Sequence, residues 1–428
     1  MLLAALLIFG LSLVGRLTFR PQAAPLVISG APPVPVEAGS GAGIAAIQER
    51  IRRNPDDAAG YAALGLGLLQ QVRETGDAGL YTKAGQAFDE ALKRDPEQLE
   101  ALIGQGSLAL SRHQFAAAIE WGNQALALNP SRAAIYGVIG DAQVELGRYD
   151  ESVATIQQMV NTRPDLSSYS RVSYLRELHG DSAGAITAMQ QAVEAGGLVQ
   201  EQTLWTQVQL GHLFFNRGDL VAAEAAYRRT LQSKPNYAYA IAGIARVHAA
   251  QGKLTEAIAL YRELVDRLPL PEFVIALGEA LEASGDRKGA NEQYALVNAM
   301  QQLNADAGMN VDLELALFEA AHGSNPAKAV ERARAAYGVR PTIYAADALA
   351  WALHRAERNA EAQPFATEAL RLGTQDASLY YHAGMIAHAL GDTATARTHL
   401  ERALAINPYF SVLHADESRQ LVKELGGG

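Results

Sequence analysis

The residues of this sequence with chemistry to offer are ten histidines and a few acidic pairs, and their spacing argues against catalysis. His382 and His388 are six apart, which puts them on different faces of a helix, so one metal ion could not use both. His354 neighbours Arg355, whose charge disfavours a bound cation, and His248 is isolated. A surface or groove position is the expectation for each. Asp56-Asp57 and Asp150-Glu151 fall where helices begin, and acids there stabilise the helix dipole. No phosphate-binding loop closes on Gly-Lys-Ser/Thr, and neither His-Glu-x-x-His nor Gly-x-Ser-x-Gly occurs. Gly104-Gln105-Gly106 lies inside a helical pattern, where its glycines serve packing. The absence of cysteine removes disulfides, thiolate metal sites and cysteine nucleophiles, and leaves the compartment open. The expectation is a protein that is not an enzyme and needs no cofactor or metal.

These residues must be carried by something large. At 428 residues the chain exceeds one ordinary globular core, so several domains or a repeat array is expected. Alanine is abundant and β-branched runs are scarce, which favours helices. The net charge is −10 and the basic residues are scattered singly or in pairs such as Arg228-Arg229. Without a basic stripe, nucleic acid is not an expected partner.

The prolines supply the period. Pro55, Pro96, Pro130, Pro164, Pro235, Pro269, Pro341 and Pro408 are separated by 41, 34, 34, 71, 34, 72 and 67 residues. Three gaps are 34, the long ones are near two such periods, and the gap of 41 is one period plus seven residues. Each unit repeats one grammar. In residues 207–235, Leu210-Gly211 and Phe214 sit in a first helix and Gly218-Asp219 makes the turn. Ala223, Tyr227 and Thr230 line a second helix, and Pro235 ends it, since proline cannot continue a helix. The pattern recurs as Tyr61, Leu64, Gly65, Leu68, Ala84, Phe88, Ala91 and Pro96; as Tyr136, Ile139, Gly140, Gly147, Tyr149 and Pro164; and as Tyr380, Gly384, Gly391-Asp392, Ala396, Leu400, Ala403 and Pro408.

This grammar resembles the tetratricopeptide repeat, in which a bulky residue, Leu-Gly, an aromatic, a small Ala, an aromatic and a closing Pro recur over 34 residues. The resemblance covers about residues 44–425. It implies an all-α fold: a right-handed α-solenoid of about ten helical hairpins with N- and C-terminal cap helices. Ala45–Arg53 and Val412–Leu425 are the expected caps. In the first unit the extra residues fall around Arg73–Tyr81, between the helices. Two stretches depart from the pattern. Residues 165–198 lack the closing Pro and run one residue short before His179-Gly180-Asp181. Residues 299–340 lack the Leu-Gly pair and break at Gly308-Met309-Asn310.

In such arrays the first helix of each hairpin lines an inner groove. The resemblance places there Trp205, His212, Phe215 and Asn216 of the fifth unit, with Val208; Tyr239 and Arg246 of the sixth, with Ala242; Tyr344, Asp347, Trp351, His354 and Arg355 of the ninth; and Tyr381, Met385 and His388 of the tenth. Aromatics and Arg dominate binding hot spots. The alternative is that several of these pack between neighbouring helices. The family's chaperone-tail binders hold a terminal carboxylate with a Lys/Asn clamp. The matching positions here are Ala62, Leu66, Ile103, Ser107, Gly137 and Asp141, so that clamp is missing. The implied function is a non-catalytic scaffold or adaptor that binds a protein or peptide in the groove, with self-association through an open end compatible. An enzyme subunit or self-assembling scaffold with a catalytic role in the degenerate repeats is the alternative.

The N-terminus stands apart. Met1–Gly15 is almost wholly apolar, followed by Arg16 and Arg20. Residues 1–20 read as an uncleaved membrane anchor, a cleaved signal segment or a buried cap helix. The first would tether the folded part to the membrane, outside the cytoplasm; the second would release it as a secreted or periplasmic protein. Charges after the apolar run pull the other way under the positive-inside rule. Residues 21–43, rich in Pro, Ala and Gly, read as an extended linker ahead of the repeat solenoid at 44–425.

Overall fold

A computed structural model describes residues 41–197, 201–306, 312–323 and 325–426. Among these residues there are 22 helices and no strand, an all-α solenoid. After a lone helix α1 (Gly41–Arg53) come ten antiparallel hairpins. They are α2 (Ala58–Thr75) with α3 (Leu80–Arg94), α4 (Leu99–Ser111) with α5 (Phe115–Leu128), and α6 (Ala133–Glu145) with α7 (Tyr149–Thr162). Next come α8 (Leu166–Leu178) with α9 (Ser182–Glu194), α10 (Glu201–Asn216) with α11 (Leu220–Ser233), and α12 (Ala238–Ala250) with α13 (Leu254–Arg267). Then follow α14 (Pro271–Ala283) with α15 (Arg287–Asp306), α16 (Asp312–His322) with α17 (Pro326–Val339), α18 (Ile343–Arg355) with α19 (Asn359–Ala369), and α20 (Ala377–Ala389) with α21 (Thr393–Ile406). A last helix, α22 (Ala415–Gly426), caps the end.

The hairpins end where the periodic prolines stand. Asp95, Asn129, Arg163, Lys234, Leu268, Arg340 and Asn407 each precede a proline and each has extended backbone, with φ between −139° and −156°. That is the conformation a following proline ring imposes. At the turn inside a hairpin, Gly218 and Gly391 take φ of 77° and 79°, and the next residue caps the second helix. Asp219 accepts the Ala222 N–H at 3.0 Å, and Asp392 accepts that of Thr395 at 3.0 Å. His113 and Glu357 hold the same left-handed turn position without glycine, at φ 57° and 61°.

The Leu-Gly pairs create room for the second-helix aromatic. A Cβ on Gly65 would stand 2.4 Å from the Phe88 ring, and one on Gly104 of the next hairpin 2.3 Å from it. Tyr227 is seated between Gly211 and Gly243 in the same way. Each aromatic thus locks its own hairpin to the following one, and Phe88 and Tyr227 are fully buried. A single hairpin has nothing to cover this ring, so the repeats must stack.

Three boundaries differ from the sequence-based expectation. The seven extra residues of the first unit mostly lengthen α2, which runs 18 residues, because Val72 and Leu69 bury against the following helix instead of looping out. The helix before the first hairpin begins at Gly41, so the last three residues of the expected 21–43 linker belong to it. Residues 312–339 form an ordinary eighth hairpin, α16–α17; the break at Gly308–Asn310 lies outside the described residues, as do the anchor or signal segment at 1–20 and linker residues 21–40. No helix among the described residues is long and apolar enough to cross a membrane.

The described chain divides into two compact units. The first holds residues 41–171 and 302–306, and its residues 41–171 are built on two buried clusters. One gathers Ile44, Val72, Tyr81 and Phe88, and the other Leu102, Phe115, Ile135 and Ile139. The second holds Val172–Gln301 and residues 312–426. Within this second unit the last hairpins return to the earlier ones. Asn407 Nδ2 donates to the Phe215 carbonyl at 2.9 Å, and Thr374 Oγ1 donates to the Leu178 carbonyl. A Cβ on Gly180 would lie 2.4 Å from the Gly373 carbonyl oxygen, so only glycine permits that approach.

Candidate functional site

The groove positions of the fifth and sixth hairpins sit on α10 and α12. Trp205, Val208 and Phe215 are buried in one cluster with Leu204, Tyr227 and Ile244. Their apolar side chains face neighbouring helices because the second unit brings other first helices against them. His212 is half-buried, with Nδ1 2.8 Å from the Tyr227 hydroxyl. Asn216 Nδ2 donates to Glu177 Oε1 at 3.3 Å. Tyr239 is half-buried between the rings of Tyr237 and Phe273, 5.7 Å from each. Arg246 is buried, its guanidinium 3.8 Å from the centroid of Phe215.

The ninth and tenth hairpins place theirs on α18 and α20. Asp347 and His382 are both buried and share a hydrogen bond of 2.7 Å. Burial pushes the Asp347 carboxyl well up and the His382 imidazole well down, so both groups move toward their neutral forms. Trp351 is buried and stacks on His382 at 4.2 Å and on His354 at 4.8 Å. Tyr344 is also buried. Tyr381 is buried with its hydroxyl donating to Glu417 of α22 at 3.0 Å. His354 is half-buried with Nδ1 2.6 Å from Asn359 Oδ1; Met385 is half-buried; Arg355 and His388 are exposed.

The expectation that all these side chains line an open surface therefore needs correcting for seven of them. Trp205, Phe215, Arg246, Tyr344, Asp347, Trp351 and Tyr381 are buried in this structure. His212, Asn216, Tyr239, His354, Arg355, Met385 and His388 keep solvent access. The alternation follows from geometry. A first helix in a tightly packed unit touches its predecessor, its successor and its own partner helix, which leaves only a narrow stripe uncovered.

The second unit also holds two clefts that helical register did not foretell. One, of about 10 Å³, is bounded by Asn216, Arg246, Asp376, Ser378 and Asn407. Burial pushes Asp376 up to about 7, although it accepts the Ser378 N–H at 2.8 Å. The other, of about 290 Å³, lies between α12, α14 and the segment 408–419, with Arg246, Tyr261 and Glu279 in its wall. Pro408 closes the last repeat and residues 412–419 fall in the expected cap, but nothing in the repeat pattern marks them or Asp376 as part of a site.

Three profiles described as tetratricopeptide repeat match the chain, one over residues 69–133 and 208–270, one over 109–177 and one over 377–410. Cellulose synthase operon protein C of Xanthomonas axonopodis pv. citri (strain 306) is 31% identical over 277 residues, which cover 62% of this chain and 16% of that protein. Cellulose synthase 1 operon protein C of Komagataeibacter xylinus is 25% identical over 247 residues, 56% of this chain and 16% of that protein. The chain thus spans about a sixth of the length of these relatives. Among solved structures, a thermophilic TPR protein of Thermus thermophilus superposes with a TM-score of 0.37 at 22% identity, covering 42% of this chain and 92% of that one. The pilF protein of Pseudomonas aeruginosa gives 0.37 at 17%, covering 52% and 96%.

Proposed function

We propose that this chain, a tetratricopeptide-repeat protein, is a non-catalytic scaffold that holds a protein or peptide partner along the first helices of its second unit. One observation carries the reading. Every described helix belongs to one of ten hairpins or to an end cap, which leaves no described segment for a separate catalytic domain. The partner contacts on this reading are the solvent-accessible His212, Asn216, Tyr239, His354, Arg355, Met385 and His388. The buried Trp351, Phe215, Tyr344 and Tyr381 hold that surface in shape from beneath.

The relatives carry the name of the cellulose synthase operon. On that likeness the partner belongs to machinery that makes or exports a polysaccharide. An extracytoplasmic position, with residues 1–20 as membrane anchor or signal, fits such a partner and rests on the apolar start of the sequence alone. The test is affinity capture from the native cell using the full chain, beside a chain carrying Arg355→Ala and His388→Ala. The reading expects one recurrent protein partner, depleted by the double substitution at unchanged melting temperature. Equal recovery by both baits would move the binding surface elsewhere, and the absence of any recurrent partner would sink the scaffold reading.

A further inference from the structure

Two contacts between residues far apart in sequence join the second unit to itself, and they follow one pattern. The turn of the fourth hairpin, at Gly180, meets the loop that precedes α20, where Thr374 Oγ1 donates to the Leu178 carbonyl. The turn of the fifth hairpin, at Gly218, meets the residues that follow α21. A Cβ on Gly218 would stand 3.0 Å from Pro408 Cδ, and Asn407 Nδ2 donates to the Phe215 carbonyl at 2.9 Å. The bonded residues are 196 and 192 positions apart. Successive turns on one side thus meet successive inter-hairpin loops on the other, in step with the repeat.

These contacts differ in kind from those that stack the hairpins. Stacking is apolar. Tyr227 sits in a buried cluster with Leu204, Trp205, Val208 and Val247, and that cluster draws its members from the fifth and sixth hairpins alone. The distant contacts are made by turns, loops and helix ends, through a hydroxyl, a carboxamide, glycines and a proline. Beside them lies the small void lined by Asn216, Asp376 and Ser378, and beyond it the larger cleft parts α12 and α14 from the segment 408–419. A hairpin in a repeat array needs only its neighbours to bury its apolar face, so contacts made across five hairpins add to the stack without being required by it. On opening, their two hydrogen bonds are exchanged for bonds to water, which leaves little to hold them shut. A slight slide at each helix pair in between is enough to part the ends.

We propose that the two contacts form a clasp that opens while every hairpin stays folded, and that its opening uncovers the ends of α8 and α10 as the way in for the partner. The second half of this rests on the scaffold reading.

Thiol labelling tests the clasp, because the chain has no cysteine of its own. Ser378→Cys puts a thiol at the closed contact, where the serine is buried beside the small void. Ser173→Cys puts one inside the fourth hairpin, where the serine hydroxyl donates to the Ala185 carbonyl at 2.7 Å and only unfolding of the hairpin exposes it. The Ser378→Cys thiol should react with a maleimide faster than the Ser173→Cys thiol by about tenfold or more. Thr374→Val and Asn407→Asp together remove both donors, while the new carboxylate keeps an acceptor for the Tyr409 N–H. Added to Ser378→Cys they should speed its labelling by about tenfold again, and added to Ser173→Cys they should change nothing. Equal rates at the two positions, or a Ser378→Cys rate indifferent to the added pair, overturns the clasp. If Ser378→Cys does not fold, hydrogen exchange of the Ser378 amide with and without the added pair reads the same opening, and no acceleration by the pair overturns it.

For the partner, Arg217→Cys with Tyr409→Cys places thiols at two exposed positions beside the second contact, and a flexible bismaleimide ties it shut. Affinity capture from the native cell should then lose the recurrent partner that the same chain recovers before cross-linking. Recovery by the tied chain overturns the entry role. Recovery of no partner by either chain, with labelling as expected, sinks the scaffold reading and leaves the clasp standing, so the two fail separately.

Discussion

The guanidinium of Arg171 grips the carboxylate of Asp141 through two parallel hydrogen bonds, Nε to Oδ1 at 3.0 Å and Nη2 to Oδ2 at 2.8 Å. Both residues are buried in the first unit, on α8 and α6, thirty positions apart. Gly137 makes the space, since a Cβ there would stand 3.0 Å from Arg171 Cζ. Asp141 occupies a position at which sequence reasoning looked for a ligand-binding group, and its carboxylate serves the fold.

Removing one partner of such a pair leaves the other charge buried. Arg171→Met should lower stability by about 3 kcal/mol. The double substitution Asp141→Leu with Arg171→Met should recover most of that loss, because replacing both charges by apolar groups is close to neutral. Urea unfolding of the full chain followed by circular dichroism measures both. A double variant as unstable as the single one would show that the pair's hydrogen bonds, including that of Arg171 Nη1 to the Ser167 carbonyl, matter more than the stranded charge.

Gly104→Ala should destabilise the first unit by about 1–3 kcal/mol, since the added methyl meets the Phe88 ring, which two helices already hold. Adding Phe88→Leu should return part of the loss by yielding space. Thermal unfolding reads the difference, and a Gly104→Ala chain that melts like the parent contradicts the packing described for the repeat.

Trp351→Ala should cost about 3 kcal/mol, because the ring is buried between His382, His354 and Tyr381 and its removal leaves a cavity. His388→Ala, at an exposed position, should change stability by less than about 0.5 kcal/mol. If Trp351→Ala melts like the parent, its side chain is not part of the packed interior in solution.

Asp376 supplies a pH dependence. Its ordinary value is 3.8 and burial pushes it up to about 7. Between those values the folded chain keeps a proton that the unfolded chain releases, so this group lowers stability as pH rises from about 4 to about 7, with no further effect above. Asp376→Asn keeps an acceptor for the Ser378 N–H and removes the titration. The gap in stability between variant and parent should therefore shift in favour of the asparagine variant across that window, as read by denaturant midpoints at pH 4, 5.5 and 7. A constant gap would mean that burial does not hold the proton on Asp376 in the folded chain.

The repeat was legible because it depends on neighbours in sequence. Pro96 stops α3, Gly218 turns the fifth hairpin, and Gly65 admits Phe88, all within a span that local pattern can report. Exposure was not legible. The helical register assigns Phe215 and Trp351 to a first-helix face but says nothing of what covers that face. Arg246 and Asp376, 130 positions apart in sequence, line one small void, and no periodicity encodes that placement. His113 and Glu357 show a milder limit, since each takes a turn geometry that the residue type does not advertise.

The hydrogen bond from Asn407 to the Phe215 carbonyl joins groups 192 residues apart. A chain made at roughly 5–20 residues per second exposes Phe215 about 10–40 s before Asn407 exists. During that interval the fifth hairpin waits on the ribosome without its distant partner, and anything that occupies the first-helix surfaces of the second unit in that time competes with the chain's own C-terminal end. Order of synthesis thereby becomes a factor in which contacts this repeat array first makes.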